Sequence, residues 1–292
     1  MTQPPLTAQT ALYAVLGDPV EHSLSPVFQN AALEAGGVDA RYVALRMSAE
    51  ELPDFLKGIR HSNIKGFNAT IPHKEALVKL CDKLSKEAQL IGAVNTVSIK
   101  AGKLHGDNTD GVGFLESLFE EAKFDPKGKK VCLLGAGGSA RAIGYSLAKA
   151  GASQIVIANR TAPKARALAD ELGAKVKKTK FSASSHRSSE LSRAVEGADL
   201  LVNATSVGLG GRGIISLPWG VLPKPALIAD IVYEPRLTPL LTEAKRRKYK
   251  ILGGLGMLVH QGALSYEIWT GTKPDVAKMR KAADKALRDR EG

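Results

Sequence analysis

Val131-Cys132-Leu133-Leu134-Gly135-Ala136-Gly137-Gly138-Ser139-Ala140 is the stretch that decides the fold. Four apolar residues in a row read as a strand buried on both faces, and the glycines that follow read as a tight turn into a helix. The order is G-x-G-x-x-G/A. Gly135 permits the turn, Gly137 lets backbone N–H groups approach a pyrophosphate, and Ala140 is small enough for helix and strand to pack closely. The helix that opens near Ser139 points its unpaired N–H groups and positive end at phosphate. A second strand follows at Gln154–Ala158, so the strand–turn–helix–strand context of a dinucleotide site is complete. Gly135, Ala136, Gly137, Gly138, Ser139 and Ala140 are therefore the expected cradle.

That second strand runs into Asn159-Arg160-Thr161. A site for NAD usually places Asp or Glu here to hold the ribose hydroxyls. None is present. Arg160 instead offers a guanidinium suited to a 2′-phosphate, Thr161 a hydroxyl that can also cap the next helix, and Lys164 a further cation. The expected cofactor is NADP.

Working outward, the alternation continues with helices at Ser139–Ala150 and Pro163–Leu172 and a strand near Lys175–Lys180. Ser182–Ser192, which contains Arg187, reads as a surface loop leading into a short helix. Further strands are expected at Leu200–Ala204, Leu227–Asp230 and Ile251–Leu252, giving a parallel, doubly wound sheet. Upstream, Asp125-Pro126-Lys127-Gly128 is a turn-rich break. Before it, strands at Ala11–Leu16, Arg41–Arg46, Gly66–Ile71 and Ala93–Ile99 alternate with helices. One helix opens at Ser25-Pro26, with Ser25 as its N-cap, and another at the capping box Ser48–Glu51. Two C-terminal helices, Met257–Thr270 and Pro274–Arg290, are expected to pack back on the first domain. The fold class is α/β with two domains. Residues 1–123 plus 255–292 form an N-terminal α/β substrate domain, and 124–254 a Rossmann-type doubly wound NADP domain.

Bulk properties narrow the function. The 292-residue chain carries 41 Lys and Arg against 29 Asp and Glu, a net charge of +12. Such a surplus suits nucleic acid or small anions. Aromatic residues make up only 5%, too few for the basic–aromatic stripe of a nucleic-acid surface. The basic run Lys273–Arg290 is also interleaved with acids, as on a solvated helix face. Nucleic acid is not an expected partner. No apolar run reaches about 18 residues, so no membrane span is expected, and Met1–Gln9 lacks the pattern of a secretory signal. Cys81 and Cys132 are the only cysteines and have no metal-ligand spacing. A reducing cytoplasm is expected, with no disulfide framework and no metal.

Reduction by a nicotinamide needs a proton donor beside the hydride acceptor. Asn68-Ala69-Thr70-Ile71-Pro72-His73-Lys74 ends a strand with polar groups and a lysine, and Asp110 precedes a helix. A lysine tuned by burial or by a carboxylate can act as acid and base. Plainer readings are a surface lysine and a helix cap, and sequence spacing does not bring the two together.

Seven ordered motifs resemble the shikimate dehydrogenase family along nearly the whole chain. They are Gly17–Pro26, Phe67–Lys74, Gly92–Thr96, Asn108–Gly111, Asn203–Gly208 and Asp230–Tyr233, and then Gly254–Leu258 with Gln261–Ala263 and Trp269–Gly271. The resemblance implies reversible NADPH-dependent reduction of 3-dehydroshikimate to shikimate, with Lys74 as acid/base and Asp110 as its partner. It implies that Ser23 and Ser25 bind the substrate carboxylate. Thr70, Lys74, Asn95, Asp110 and Gln261 would hold the ring hydroxyls, Asn68 is a lesser candidate, and Tyr233 would line the site. On the cofactor side it adds Thr205, Ile231 and Gly254 to the glycine loop and Asn159–Lys164. Ser25 also reads as a cap alone, Tyr233 as core and Gln261 as a solvent-facing residue. The chain departs from the family pattern at Ala69, Gln29, Lys86 and Ile231, none of which touches the acid/base pair. A quinate/shikimate dehydrogenase with broader substrate or cofactor use stays open, as does a homodimer.

Overall fold

The computed structural model describes residues 5–291. It divides into two compact units, Met1–Gly113 with Val259–Gly292, and Phe114–Leu258.

The first unit opens with β1 (Ala11–Gly17), α1 (Ser25–Ala35), β2 (Ala40–Arg46), α2 (Leu52–Gly58) and β3 (Ile64–Ala69). There follow α3 (Leu77–Leu80), β4 (Lys83–Leu84), α4 (Lys86–Ile91), β5 (Thr96–Lys100), β6 (Lys103–Asp107) and the start of α5 (Asp110–Ala122). Its six-stranded sheet runs β2-β1-β3-β5-β6-β4. The sheet is mixed: β1 is parallel to β2 and β3, whereas β5 is antiparallel to both β3 and β6. Leu16, Phe67, Leu77, Val97 and Leu104 are fully buried in the core cluster of this unit. The α1 helix starts one residue off the sequence expectation. Leu24 is its N-cap and Ser25 its first helical residue, while the Ser25 N–H donates to Ser23 Oγ at 3.2 Å. The capping box does form, with Ser48 and Glu51 exchanging side chain-to-backbone bonds of 3.0 and 3.3 Å.

The second unit carries β7 (Lys130–Leu134), α6 (Gly138–Lys149), β8 (Gln154–Asn159), α7 (Ala162–Lys175), β9 (Lys180–Ser185) and α8 (Ser188–Val195). It continues with β10 (Leu200–Asn203), β11 (Leu227–Asp230), α9 (Pro239–Arg246), β12 (Lys250–Leu252) and the start of α10 (Leu255–Thr270). All its strand pairs are parallel, in the order β12-β11-β10-β7-β8-β9. Counted from β7, this is the 3-2-1-4-5-6 order of a doubly wound Rossmann sheet, whose switch point lies between β7 and β10. Alternation along β7 feeds both faces. Cys132 and Leu134 join one buried cluster with residues of α8 and α9. Leu133 meets the other face at Gly144 of α6, where a Cβ would lie 3.2 Å from its side chain. Among the described residues no helix is long and apolar enough to cross a membrane.

One strand lies elsewhere than expected. Helix α7 runs on to Lys175, and the third strand of the sheet is Lys180–Ser185, in what reads as a serine-rich loop. Thr179, buried between them, donates to the Ala152 carbonyl at 2.7 Å and pins the turn. As the edge of a parallel sheet, β9 needs only one paired side, and small polar residues satisfy that without a strong strand signature.

The C-terminal helices close the first unit. α11 (Val276–Glu291) buries Met279, Ala283 and Leu287, spaced at four residues on one face. Trp269 of α10 stacks on Tyr13 with ring centroids 4.7 Å apart and donates to the Val97 carbonyl at 3.0 Å. Gly66 leaves the room this needs, since a Cβ there would sit 2.5 Å from the indole nitrogen.

Candidate active site and cofactor cradle

In the first unit, the ends of β3, β5 and β6 deliver a cluster of short polar side chains. Lys74 follows β3 by way of Pro72 and His73. His73 fixes that loop, because its Nε2 lies 2.8 Å from the Met47 carbonyl. A carbonyl only accepts, so Nε2 carries the hydrogen. The Lys74 Nζ lies 2.5 Å from Asp110 Oδ2, and the two side chains are 12% and 5% exposed. Asp110 is the first residue of α5, where the helix field favours a carboxylate and the Asn108 side chain accepts its N–H at 3.1 Å.

The other Asp110 oxygen accepts from Asn95 Nδ2 at 2.8 Å. The same amide faces Thr109 Oγ1 at 2.8 Å and Gln261 Oε1 at 3.2 Å, while Asn95 Oδ1 accepts the Thr109 N–H at 2.8 Å. Gln261 arrives on α10 because Gly113 of α5 allows contact, a Cβ there lying 2.6 Å from the Gln261 backbone nitrogen. Asn68 continues the chain of bonds. Its amide donates to Ser265 Oγ at 2.9 Å and faces Thr96 Oγ1 at 3.1 Å, and its oxygen accepts from the Tyr42 hydroxyl at 2.8 Å. Ser25 faces the same hydroxyl, and burial pushes the Tyr42 phenol well above its usual range.

Ser25, Asn68, Asn95, Asp110, Lys74 and Gln261 thus belong to one buried polar network. Asn68 is saturated within it and acts as a tie between β3 and α10. Ser23 and Thr70 are partly buried at its margin, and the Thr70 methyl packs against Gly17, where any Cβ would collide with it. Tyr233 lies in the second unit just past β11 and is partly buried. Tyr42, Thr96, Thr109 and Ser265 complete the network without having been assigned from sequence. Thr96 and Thr109 stand inside two of the motifs quoted above, and Ser265 lies four residues beyond Gln261 and so on the same helix face.

In the second unit the glycine loop occupies the switch point. Gly135 has φ +114°, and a Cβ there would press on the Ala204 carbonyl at 2.9 Å. Gly137 is the N-cap of α6, and a Cβ there would meet nothing within 4 Å. The backbone N–H groups of Gly138, Ser139 and Ala140 open this helix, whose N-cap Gly137 makes no side-chain cap bond, and a helix start of this kind suits an anion. Ala136 lies between the two turns. Thr161 is the N-cap of α7 but makes no side-chain cap bond, so its hydroxyl is not used as the capping reading expects. Asn159 donates to the Thr161 carbonyl at 3.1 Å, and Arg160 and Lys164 are exposed at the same junction. Thr205 is tied by its N–H and hydroxyl to Asn203 Oδ1, at 3.1 and 2.7 Å. Ile231 donates its N–H to the Asn203 carbonyl at 3.0 Å, and Gly254 lies so flat on Ile231–Val232 that a Cβ would strike the Ile231 carbonyl.

A parallel sheet in Rossmann order with a glycine cradle at its switch point, and a mixed-sheet unit that buries a lysine–aspartate pair, define a two-unit α/β protein of the dinucleotide-fold class. Three family models match in order: the shikimate dehydrogenase substrate binding domain over residues 15–97, shikimate / quinate 5-dehydrogenase over 117–208, and the shikimate 5′-dehydrogenase C-terminal domain over 254–283. The shikimate dehydrogenase (NADP(+)) of Methanopyrus kandleri is 45% identical over 285 residues, covering 96% of this chain and 97% of its own. A crystal structure of a shikimate dehydrogenase in complex with NADP+ matches with a TM-score of 0.88 at 39% identity, over 98% of each chain. The Thermus thermophilus enzyme in complex with NADP(H) and shikimate matches with a TM-score of 0.84 at 42% identity, over 95% of this chain and 100% of its own. The chain belongs to the shikimate dehydrogenase family.

Proposed function

We propose that this chain catalyses the reversible NADPH-dependent reduction of 3-dehydroshikimate to shikimate, in the route to aromatic amino acids. The observation that carries the chemistry is the 2.5 Å contact between Lys74 and Asp110, both largely buried. When bound, NADPH supplies the hydride. Lys74 Nζ gives a proton to the substrate oxygen as it takes on alkoxide character, and takes one back in the reverse direction. Asp110 holds the ammonium in place and balances its charge, and Asn95 holds Asp110.

The surrounding groups suit a polyhydroxylated ring. Thr70, Asn95 and Gln261 offer neutral donors and acceptors for ring hydroxyls, with Asn68 as a tie behind them, and Ser23 and Ser25 take the carboxylate. A ring lacking a hydroxyl would leave buried groups unpaired, which is how such a site selects its substrate. Gly135 to Ala140 hold the pyrophosphate. Asn159, Arg160, Thr161 and Lys164 hold the adenosine 2′-phosphate, and Thr205, Ile231 and Gly254 shape the nicotinamide end. The substrate domain is assigned to residues 1–123 with 255–292, and the NADP domain to 124–254. The setting is cytoplasmic and the assembly to test is a homodimer, by fractionation and sedimentation respectively.

The test follows absorbance at the NADPH band, with shikimate and with quinate, each with NADP and with NAD. Shikimate with NADP is expected to give the highest kcat/KM. Lys74→Ala is expected to lose about 10²- to 10⁴-fold in kcat while keeping NADP affinity. Near-normal turnover of that variant would remove Lys74 from the chemistry.

A further inference from the structure

The groups so far assigned to the adenosine end all come from the β8–α7 junction. The next junction, β9–α8, faces the same space. Arg160, Thr161 and Pro163 of the first junction and Ser185, His186, Arg187 and Glu190 of the second line one cavity of about 670 Å³. We propose that Arg187 is a second ligand of the cofactor 2′-phosphate, opposite Arg160, with His186 and Glu190 fixing the segment that carries it. The proposal rests on the reading of Arg160 above and extends it to a residue outside the glycine fingerprint.

Strand register brings the two arginine-bearing segments out of the sheet side by side. Asn159 and Ser185 are paired as the last residues of neighbouring parallel strands, so Arg160 and His186 leave the sheet together and Arg187 follows. The second segment is anchored twice. His186 Nε2 lies 3.3 Å from the Ala158 carbonyl, and the Arg187 N–H donates to Ser185 Oγ at 3.2 Å. Glu190 is turned inward to accept the Ser185 N–H at 3.1 Å. Bonds from the Ser185 hydroxyl and N–H, ahead of the weaker pull of Arg187 and Arg193, hold its carboxyl below the usual range.

Arg160 and Arg187 have no ion-pair partner among the described residues, unlike Arg141, Arg246 and Arg247. Two unpaired guanidiniums and one committed carboxylate leave the cavity net positive. Planar forks from two directions suit the three outer oxygens of a phosphate monoester. The end of β8, where a site for NAD usually carries an acid for the ribose hydroxyls, has Asn159-Arg160-Thr161 instead.

Calorimetric binding of 2′,5′-ADP, with 5′-AMP as the probe lacking the 2′-phosphate, tests this on the full chain. Arg187→Gln is expected to weaken 2′,5′-ADP about tenfold, the size of one lost charge-assisted bond, and to leave 5′-AMP unchanged. Arg187→Lys is expected to recover part of the loss. In turnover, Arg187→Gln should raise the KM for NADP with kcat intact. If Arg160→Gln weakens 2′,5′-ADP and Arg187→Gln does not, the Arg187 assignment falls and the Arg160 reading stands. If Arg187→Gln weakens it and Arg160→Gln does not, the reverse holds. Equal weakening of both nucleotides by Arg187→Gln would make the residue a wall for adenosine and overturn its phosphate role.

Discussion

Asp110 holds Lys74 through one oxygen and Asn95 through the other, so its charge and its shape are both engaged. Asp110→Asn keeps the shape and removes the charge. The Lys74 ammonium would then stand in a largely buried place without its counter-ion, and breaking such a pair from one side costs about 3 kcal/mol or somewhat less where water reaches it. The variant is expected to unfold at lower urea and to lose at least about tenfold in kcat, with NADP affinity retained. A kcat equal to that of the parent would show that Asp110 only shapes the site. Lys74 and Asp110 were each legible as candidates, since a lysine at a strand end and an acid at a helix start are local patterns. Their contact was not. It spans 36 residues and depends on β5 pairing antiparallel with both β3 and β6. Tyr42 was illegible for the same reason, because Asn68 meets it across 26 residues of chain.

At the scale of elements, the parallel sheet of the second unit could be read strand by strand wherever strands are buried on both faces and bounded by glycine or proline. β9 escaped because an edge strand rich in serine has neither signal, and with it went the cavity wall that carries Arg187. The ends of β10 and β11 show a second device that periodicity does not reveal. Asp230 accepts from Asn203 at 2.8 Å, from the Val232 N–H at 3.0 Å and from Thr238 at 2.7 Å, and Thr238 in turn caps α9. Burial nevertheless outweighs these donors and pushes the Asp230 carboxyl up to about 6 from 3.8. An acid whose folded pKa lies above its unfolded value binds more protons when folded, so its stability contribution is full below about pH 4. That contribution is lost as pH rises through about 6. The span corresponds to roughly 3 kcal/mol at most. Asp230→Asn, which imitates the protonated acid, is expected to flatten this part of the Tm-against-pH curve between pH 4 and 7. An unchanged slope would mean that Asp230 ionises in the fold as freely as in the unfolded chain.

Across the whole molecule, the +12 charge is the property that no single site uses up. Many cations are already committed locally, as where Glu243 pairs with both Arg246 and Arg247. The surplus spreads over the surface, and both proposed reactants, a carboxylate and a phosphorylated dinucleotide, are anions. A field of this sign draws them in over distances set by the Debye length, about 10 Å at 0.1 M salt and 3 Å at 1 M. Capture and chemistry should then respond differently to salt. The Lys74–Asp110 pair is shielded from ions, with side chains 12% and 5% exposed, so kcat is expected to change little. The kcat/KM for each anion is expected to fall severalfold or more as NaCl rises from about 0.01 to 1 M, more steeply for NADP because it carries more charge. Arg160 and Arg187 are exposed and contribute to the NADP slope alone, so Arg160→Gln and Arg187→Gln should flatten it and leave the shikimate slope unchanged. Parallel slopes for both reactants in every variant would assign capture to the diffuse surplus and none of it to the arginine cavity.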